Sequence, residues 1–206
     1  MELDFFIKGL ILGFSIAAPV GPIGVLCIRK SLEFGRFSGF FSGLGAACAD
    51  TIYAIIAAFG LTFISNFLLE EQFWLRLTGG IFLLYLGWKT CIAKPNTQSK
   101  TVSHTSLIND FISTFFLTIT NPMTILSFVA VFAGLGLSNP EGSTFQSSRL
   151  VLGVFLGSAL WWLILSEGVT LFRQKVSNGV MKWVNRIAGL IIMGFGLSAL
   201  LSLLFI

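Results

Sequence analysis

Charge is scarce in this chain: 11% of its 206 residues are Asp, Glu, Lys or Arg, against 55% hydrophobic residues and a mean hydropathy of +0.89. That balance excludes a soluble globular domain and marks an integral membrane protein. Catalytic signatures are missing as well. The sequence holds no G-x-S-x-G, no H-E-x-x-H, no paired-aspartate signature and no Walker loop, so neither hydrolysis nor ATP-driven pumping has residues to carry it, and no enzyme is expected. Histidine occurs once, as His104 in a polar linker, and its lone position argues against metal binding. The three cysteines, Cys27, Cys48 and Cys91, lack C-x-x-C spacing; they read as small buried hydrophobes, with no disulfide framework or zinc site implied. No cofactor is expected. The net charge of +4 contains no basic run of the kind that binds nucleic acid. The expected partners are the lipid bilayer and a small-molecule substrate.

What the chain does have is six apolar segments, at 5–28, 37–64, 73–92, 111–137, 150–172 and 187–206. Each is long enough to cross a hydrocarbon core of roughly 30 Å. The first begins with Glu2 and Asp4 in place of a basic cluster and outruns a signal h-region, so it is expected to be a retained span. The longest polar connection, 94–109, separates repeat one (1–93) from repeat two (110–206). Basic residues set the orientation. Arg29, Lys30, Arg36, Lys89, Lys94, Lys100, Arg173, Lys175, Lys182 and Arg186 follow spans one, three and five, whereas Lys8, Arg76 and Arg149 fall on the opposite side. Ten against three puts the first set in the cytoplasm and both termini outside a plasma membrane.

The halves share motifs. Pro22-Ile-Gly-Val matches Pro122-Met-Thr-Ile, and Gly39-x-x-x-Gly43 matches Gly153-x-x-x-Gly157. Trp74, Gly80 and Gly87 correspond to Trp183, Gly189 and Gly196 at a constant offset of 109. Three spans per copy is an odd number, so the second copy must enter the membrane upside down. The expected fold is an all-α integral membrane protein with six transmembrane helices in two inverted three-helix repeats, an arrangement that points to a transporter with its site near the midplane. The glycine faces serve packing within a monomer or a homodimer equally well.

Candidate site residues cluster at interruptions of the apolar pattern. Pro19, Gly21 and Pro22 lie inside the first segment, where prolines without N–H donors free carbonyls near residues 15 to 18. In lipid such a break persists only where protein or a watery cavity takes up the freed groups. The expectation is a broken span that lines a cavity; the alternative is a proline kink without function. Asp50 falls mid-span, where a carboxylate costs about 2.5–3.5 kcal/mol. It either binds a substrate amine, carries a proton, or belongs to a structural hydrogen-bond network. Gly39, Gly43, Ala46, Ala54 and Ala57 share its meridian within roughly 40°, a smooth face for another helix, and Tyr53 offers it a hydroxyl. Asn121-Pro122 repeats the break, as a polar donor and acceptor for a zwitterion or as a structural kink. Facing breaks would offer carbonyls to an ammonium group and half-helix N-termini to a carboxylate. Trp161 shares a face with Gly153 and Gly157, and core packing is favoured over substrate contact. Glu167 either snorkels or pairs with Arg173.

These motifs resemble those of the LysE-type amino-acid exporter superfamily, which includes RhtB-like homoserine and threonine exporters. The resemblance is carried by P-V-G-P-I-G at 19–24, A-D-T-I-Y at 49–53 followed by Phe59-Gly60-Leu61, Asn121-Pro122-Met123-Thr124, the G-S-A-L-W-W run at 157–162 and the 189–196 glycine span. Two features depart from it: many members have P-G-P-N at the first break, where Ile23 follows Pro22 here, and Ala49 precedes the aspartate in place of a glycine. The resemblance implies a small efflux carrier for amino acids or related metabolites, driven by the proton gradient or membrane potential. Two competing readings are divalent-metal efflux, with Asp50 joined by Cys48 or Glu167 as ligands, and a membrane scaffold that transports nothing.

Overall fold

The computed structural model describes residues 2–19, 21–59, 71–93, 104–121, 124–125, 127–128, 144–172 and 176–205. Among them the regular structure is all helical: α1 (Glu2–Ala17), α2 (Pro22–Phe34), α3 (Arg36–Ala58), α4 (Gln72–Cys91), α5 (His104–Ile119), α6 (Thr144–Thr170) and α7 (Asn178–Leu201), followed by a 3-10 turn at Ser202–Phe205. Arg36–Ala58, Thr144–Thr170 and Gly179–Leu204 are long and apolar enough to cross a bilayer, and the pair Phe5–Ala17 and Pro22–Phe34, bent by 80°, passes together as a fourth. The chain is therefore an all-α, multi-pass membrane protein. The 20-residue α4 occupies the third expected segment, but Arg76 and Lys89 dilute its hydropathy. The fourth segment is described through residue 121 and at residues 124–125 and 127–128; the rest of it, like 94–103 of the linker, lies outside the described residues.

Helix boundaries follow from local chemistry. Pro22 opens α2 at the position where a missing N–H does no harm. Gly35 alone separates α2 from α3, and its φ of 98° with ψ of 178° is a conformation that side chains rarely adopt. Its N–H returns to the Ser31 carbonyl, ending α2 while it serves as N-cap of α3. Ser177 caps α7 by accepting from the Val180 N–H at 3.3 Å.

Small residues decide which helices touch. Along α1 and α6, Gly9, Gly13, Gly153 and Gly157 lie so close to the partner backbone that a Cβ on any of them would collide with it. Residue numbers rise together along this interface, so the two helices run parallel. Helices α4 and α7 run antiparallel: Gly80 faces Gly196, and Gly87 faces Gly189, each pair backbone to backbone. The central α3 packs on α2, α5 and α6. Its small-residue face meets α6, with Gly43 against Trp162 and Gly39 against Ser166 and, from α2, Ser31. The glycine faces of α3 and α6 are thus occupied within one chain. Outward side chains such as Ile81, Trp88, Ile187 and Leu190 remain exposed and suit a lipid surface.

Candidate functional site

The break between α1 and α2 builds the site. The residues four beyond Ser15 and Ala18 are Pro19 and Pro22, so neither carbonyl has an N–H to receive in the helical pattern. The Ala18 N–H still reaches the Phe14 carbonyl at 3.0 Å, whereas the Gly21 N–H turns back to the Pro19 carbonyl at 2.9 Å. The Gly21 carbonyl then accepts from Val25 at 3.0 Å and α2 begins. Gly21 has no side chain to cap the first-turn N–H groups of that helix. Asn121 behaves in the same way one hundred residues later: after α5 ends, its carbonyl accepts from Thr124 at 3.1 Å and Ile125 at 3.3 Å. Both residues immediately precede a proline; Pro122 itself lies outside the described residues.

A cavity of about 440 Å³ opens at these breaks, within the ~300–1,000 Å³ range of small-molecule sites. Pro19, Gly21 and Pro22, the α2 residues Ile23 and Gly24, Asp50 and Ala46 of α3, Thr118 to Asn121 apart from Ile119, and Trp162 of α6 line it. Arg76, Gly79 and Leu83 of α4, with Phe195, Ser198 and Ala199 of α7 and Ser202, line its remaining wall. Asp50 is 4% exposed, and its hydrogen-bond donor among the described residues is the Ser158 hydroxyl at 2.8 Å. A buried carboxylate held by a single neutral donor can still accept from a ligand.

Of the residues singled out in the sequence, the structure brings Pro19, Gly21, Pro22, Asp50 and Asn121 to one cavity. Tyr53 is not the partner of Asp50. Its hydroxyl donates to the Ile119 carbonyl, satisfying the end of α5 just before the second break, because three residues of helix turn it about 60° away from Asp50. Trp161 stacks edge-on against Phe14 at 5.2 Å, and the neighbouring Trp162 takes the place on the cavity wall. Trp162 is 4% exposed and its Nε1 has no hydrogen-bond partner among the described residues. Glu167 pairs with Arg36 at 3.4 Å; Arg173 lies outside the described residues. Among those residues, no three His, Cys, Asp or Glu side chains are gathered as a metal would need.

Two features escaped the sequence reading. Arg76, counted there with the outer-loop charges, lies within α4 and lines the cavity, where its Nη1 donates to Ser202 Oγ at 2.9 Å. The second is a buried ionic cluster. Arg29, within α2 and not in a loop, donates to Glu33 at 2.6 Å and to Asn185 of α7 at 2.9 Å. Asn185 reaches on to the Ala93 carbonyl at 3.3 Å. Lys30 and the Ser38 hydroxyl both bind Asp110 of α5. Arg29, Glu33, Asp110 and Asn185 are all at most 9% exposed, and the two cations balance the two carboxylates. The cluster lies at the opposite end of α2, α5 and α7 from the cavity residues, about 10 Å along α2 from Pro22 to Arg29.

A largely apolar cavity with a buried carboxylate at the break of a membrane span is an arrangement that suits a membrane transporter. The chain belongs to the LysE type translocator family, which matches residues 14–203. It is 26% identical to a putative amino acid efflux protein of Bacillus subtilis over 94% of each chain. It is 30% identical to an uncharacterized membrane protein of Escherichia coli over 82% of this chain and 77% of that one. A threonine efflux protein of Salmonella typhimurium is 22% identical over 98% of this chain and the whole of that one. No solved structure matches the chain.

Proposed function

We propose that the protein is a secondary transporter that exports amino acids or related small metabolites from the cytoplasm across the plasma membrane, energised by the proton gradient or the membrane potential. The observation that carries this reading is the cavity at the proline break with Asp50 buried in its wall. An ammonium group can trade its water for the Asp50 carboxylate and for carbonyls freed by Pro19 and Pro22. The uncapped start of α2, at Ile23 and Gly24, offers positive potential to an anion. The amino acid and threonine efflux named for the relatives support the substrate class.

Export requires that the site meet the two sides in turn. The ten basic residues favour a cytoplasmic location for the loops beside Arg29, Lys30 and Arg36 and an outer location for both termini. On that orientation the ionic cluster seals the cytoplasmic end and the cavity lies toward the outside. Two inverted three-helix repeats, 1–93 and 110–206, supply the means of switching. Three observations support them: α1 lies on α6 as α5 lies on α3, the Gly80–Gly196 contact maps onto Gly189–Gly87 under the 109-residue offset, and Gly21 and Asn121 start equivalent helical turns.

Uptake of a labelled mixture of the twenty amino acids into inverted membrane vesicles, with and without a protonophore, tests the proposal. Uptake of at least one amino acid above vesicles lacking the protein is expected, and no uptake of any would overturn it.

A further inference from the structure

We infer that the route joining the cavity to the cytoplasmic end runs along the seam between α3 and α5, where the hydroxyls of Ser42 and Thr114 line it for a polar cargo and its water. This rests on the carrier reading, in which the ionic cluster closes that end, and adds the path that the closure guards. The two helices follow each other along the whole seam. Ser38 of α3 meets Asp110 of α5 in the cluster, Gly45 meets the backbone of Phe111 and Phe115, and the Tyr53 hydroxyl meets the Ile119 carbonyl. Residue numbers rise together on both sides, so the seam is continuous from the cluster to the cavity wall, where Ala46 and Thr118 stand.

Ser42 is the observation that singles this seam out. It is fully buried, and its Oγ has no hydrogen-bond partner among the described residues, a state that costs free energy until something polar comes to it. At 100° per residue Ser42 points about 40° from Ser38, about 60° from Gly45 and about 40° from Ala46, so it faces the interior beside α5. Along the helix it lies about 6 Å from Ser38 and about 6 Å from Ala46, midway between the cluster and the cavity. On α5, Asp110, Thr114 and Thr118 recur at every fourth residue and are all at most 7% exposed. The Thr114 and Thr118 hydroxyls donate to the Asp110 and Thr114 carbonyls at 2.9 Å each. Those bonds lie within α5 and survive a parting of the helices, while each hydroxyl oxygen keeps lone pairs for a cation or for water. Ser42 gains a partner only when the seam fills. The neighbouring seams offer no such row. Leu26 and Cys27 of α2 join Leu83 of α4 and Ile192 of α7 in one apolar core, and on the α6 side the Trp162 side chain lies against Gly43. Ser31, also buried without a partner for its hydroxyl, packs against Gly39 beside Ser166 on that same α6 side.

The test uses full-length protein in inverted vesicles, with Cys27, Cys48 and Cys91 replaced by alanine and an impermeant, positively charged methanethiosulfonate as the probe. Single cysteines are placed by Ser42→Cys in the seam and by Ala47→Cys, equally buried but turned about 140° away from Ser42 on α3. With Asp110→Asn present to release Lys30, Ser42→Cys is expected to react at least tenfold faster than Ala47→Cys, because the reagent needs water and a thiolate. Thr114→Cys, on the facing helix, is expected to behave as Ser42→Cys does and decides the matter if Ser42→Cys fails to fold. Equal rates in the seam and at Ala47→Cys overturn the route. So does faster reaction of the seam cysteines in right-side-out vesicles than in inverted ones. For an amino acid that the cysteine-free protein takes up, modification of Ser42→Cys is expected to lower uptake at least tenfold, and unchanged uptake after complete modification overturns the route as well. The labelling needs no transported substrate, so a failed route leaves amino-acid export standing, and failure of all uptake removes export without altering the labelling result.

Discussion

Ser158 of α6 donates a 2.8 Å hydrogen bond to Asp50 of α3, so the buried carboxylate of one half of the chain is held by a hydroxyl from the other. If Asp50 takes part in export as proposed, a relative movement of α3 and α6 would change its company and with it its affinity for a cation.

Asp50→Asn preserves size and the Ser158 contact and removes the charge. The variant should keep wild-type membrane abundance and melting in detergent, while efflux falls at least about tenfold, equivalent to roughly 1.4 kcal/mol in the transport barrier. Near-normal efflux at matched abundance would take Asp50 out of the mechanism.

Ser158→Ala removes the donor and leaves the carboxylate. An unsatisfied buried acceptor costs about 1–3 kcal/mol, so this variant should melt earlier than wild type. Asp50→Asn with Ser158→Ala in one chain should recover part of the loss, because a neutral amide is less costly to leave unpaired than a carboxylate. Additive losses in a double-mutant cycle would count against the pairing.

Glycine contacts give the packing its sharpest test. Gly157→Leu would force a side chain into the Leu10 backbone and should cost at least the ~1–3 kcal/mol typical of overpacking, seen as lost yield of folded protein. Gly194→Ala, where a Cβ meets nothing within 4 Å, should leave melting unchanged. Equal tolerance at both positions would contradict the close approach of α1 to α6.

The helical fold, and the residues that meet at the candidate cavity, were largely legible because membrane chemistry writes them into one dimension. A proline pair inside an apolar run forces a break, a carboxylate inside a span demands company, and glycines spaced along the third and sixth segments let α4 and α7 approach closely. What stayed hidden depends on helix phase and on contacts far apart in sequence. Trp161 shares a face with Gly153 and Gly157, but that face looks at α1, and about 100° of rotation places Trp162 on the cavity instead. Ser158 is 108 residues from Asp50, beyond any local pattern, whereas nearby Tyr53 is turned toward α5. Arg76, Arg29 and Lys30 lie within helices, and the order of basic residues along a chain does not distinguish a loop from a helix whose charged side chain turns inward.

Topology can be checked without transport. Impermeant thiol labelling of single cysteines placed at position 100 and at the C-terminus, in a background without Cys27, Cys48 and Cys91, should report opposite sides, with position 100 cytoplasmic. Labelling of both from one side would sink the six-span topology, and labelling of position 100 from the outside would reverse the assignment of the ionic cluster to the inner end.

If that cluster seals the cytoplasmic end, weakening it should admit a reagent to the cavity from that side alone. Asp110→Asn keeps a polar group for Ser38 but strips Lys30 of its buried counter-charge. Breaking one partner of a buried pair costs up to about 3–5 kcal/mol, and a carrier can lower that cost by opening, where Lys30 regains water. A cysteine at Ala46, buried on the cavity wall, should therefore react at least tenfold faster with an impermeant thiol reagent in inverted vesicles when Asp110→Asn is present, and no faster in right-side-out vesicles. An equal increase from both sides would indicate general loosening of the bundle, and no increase from the cytoplasmic side would show that Asp110 has no part in the seal.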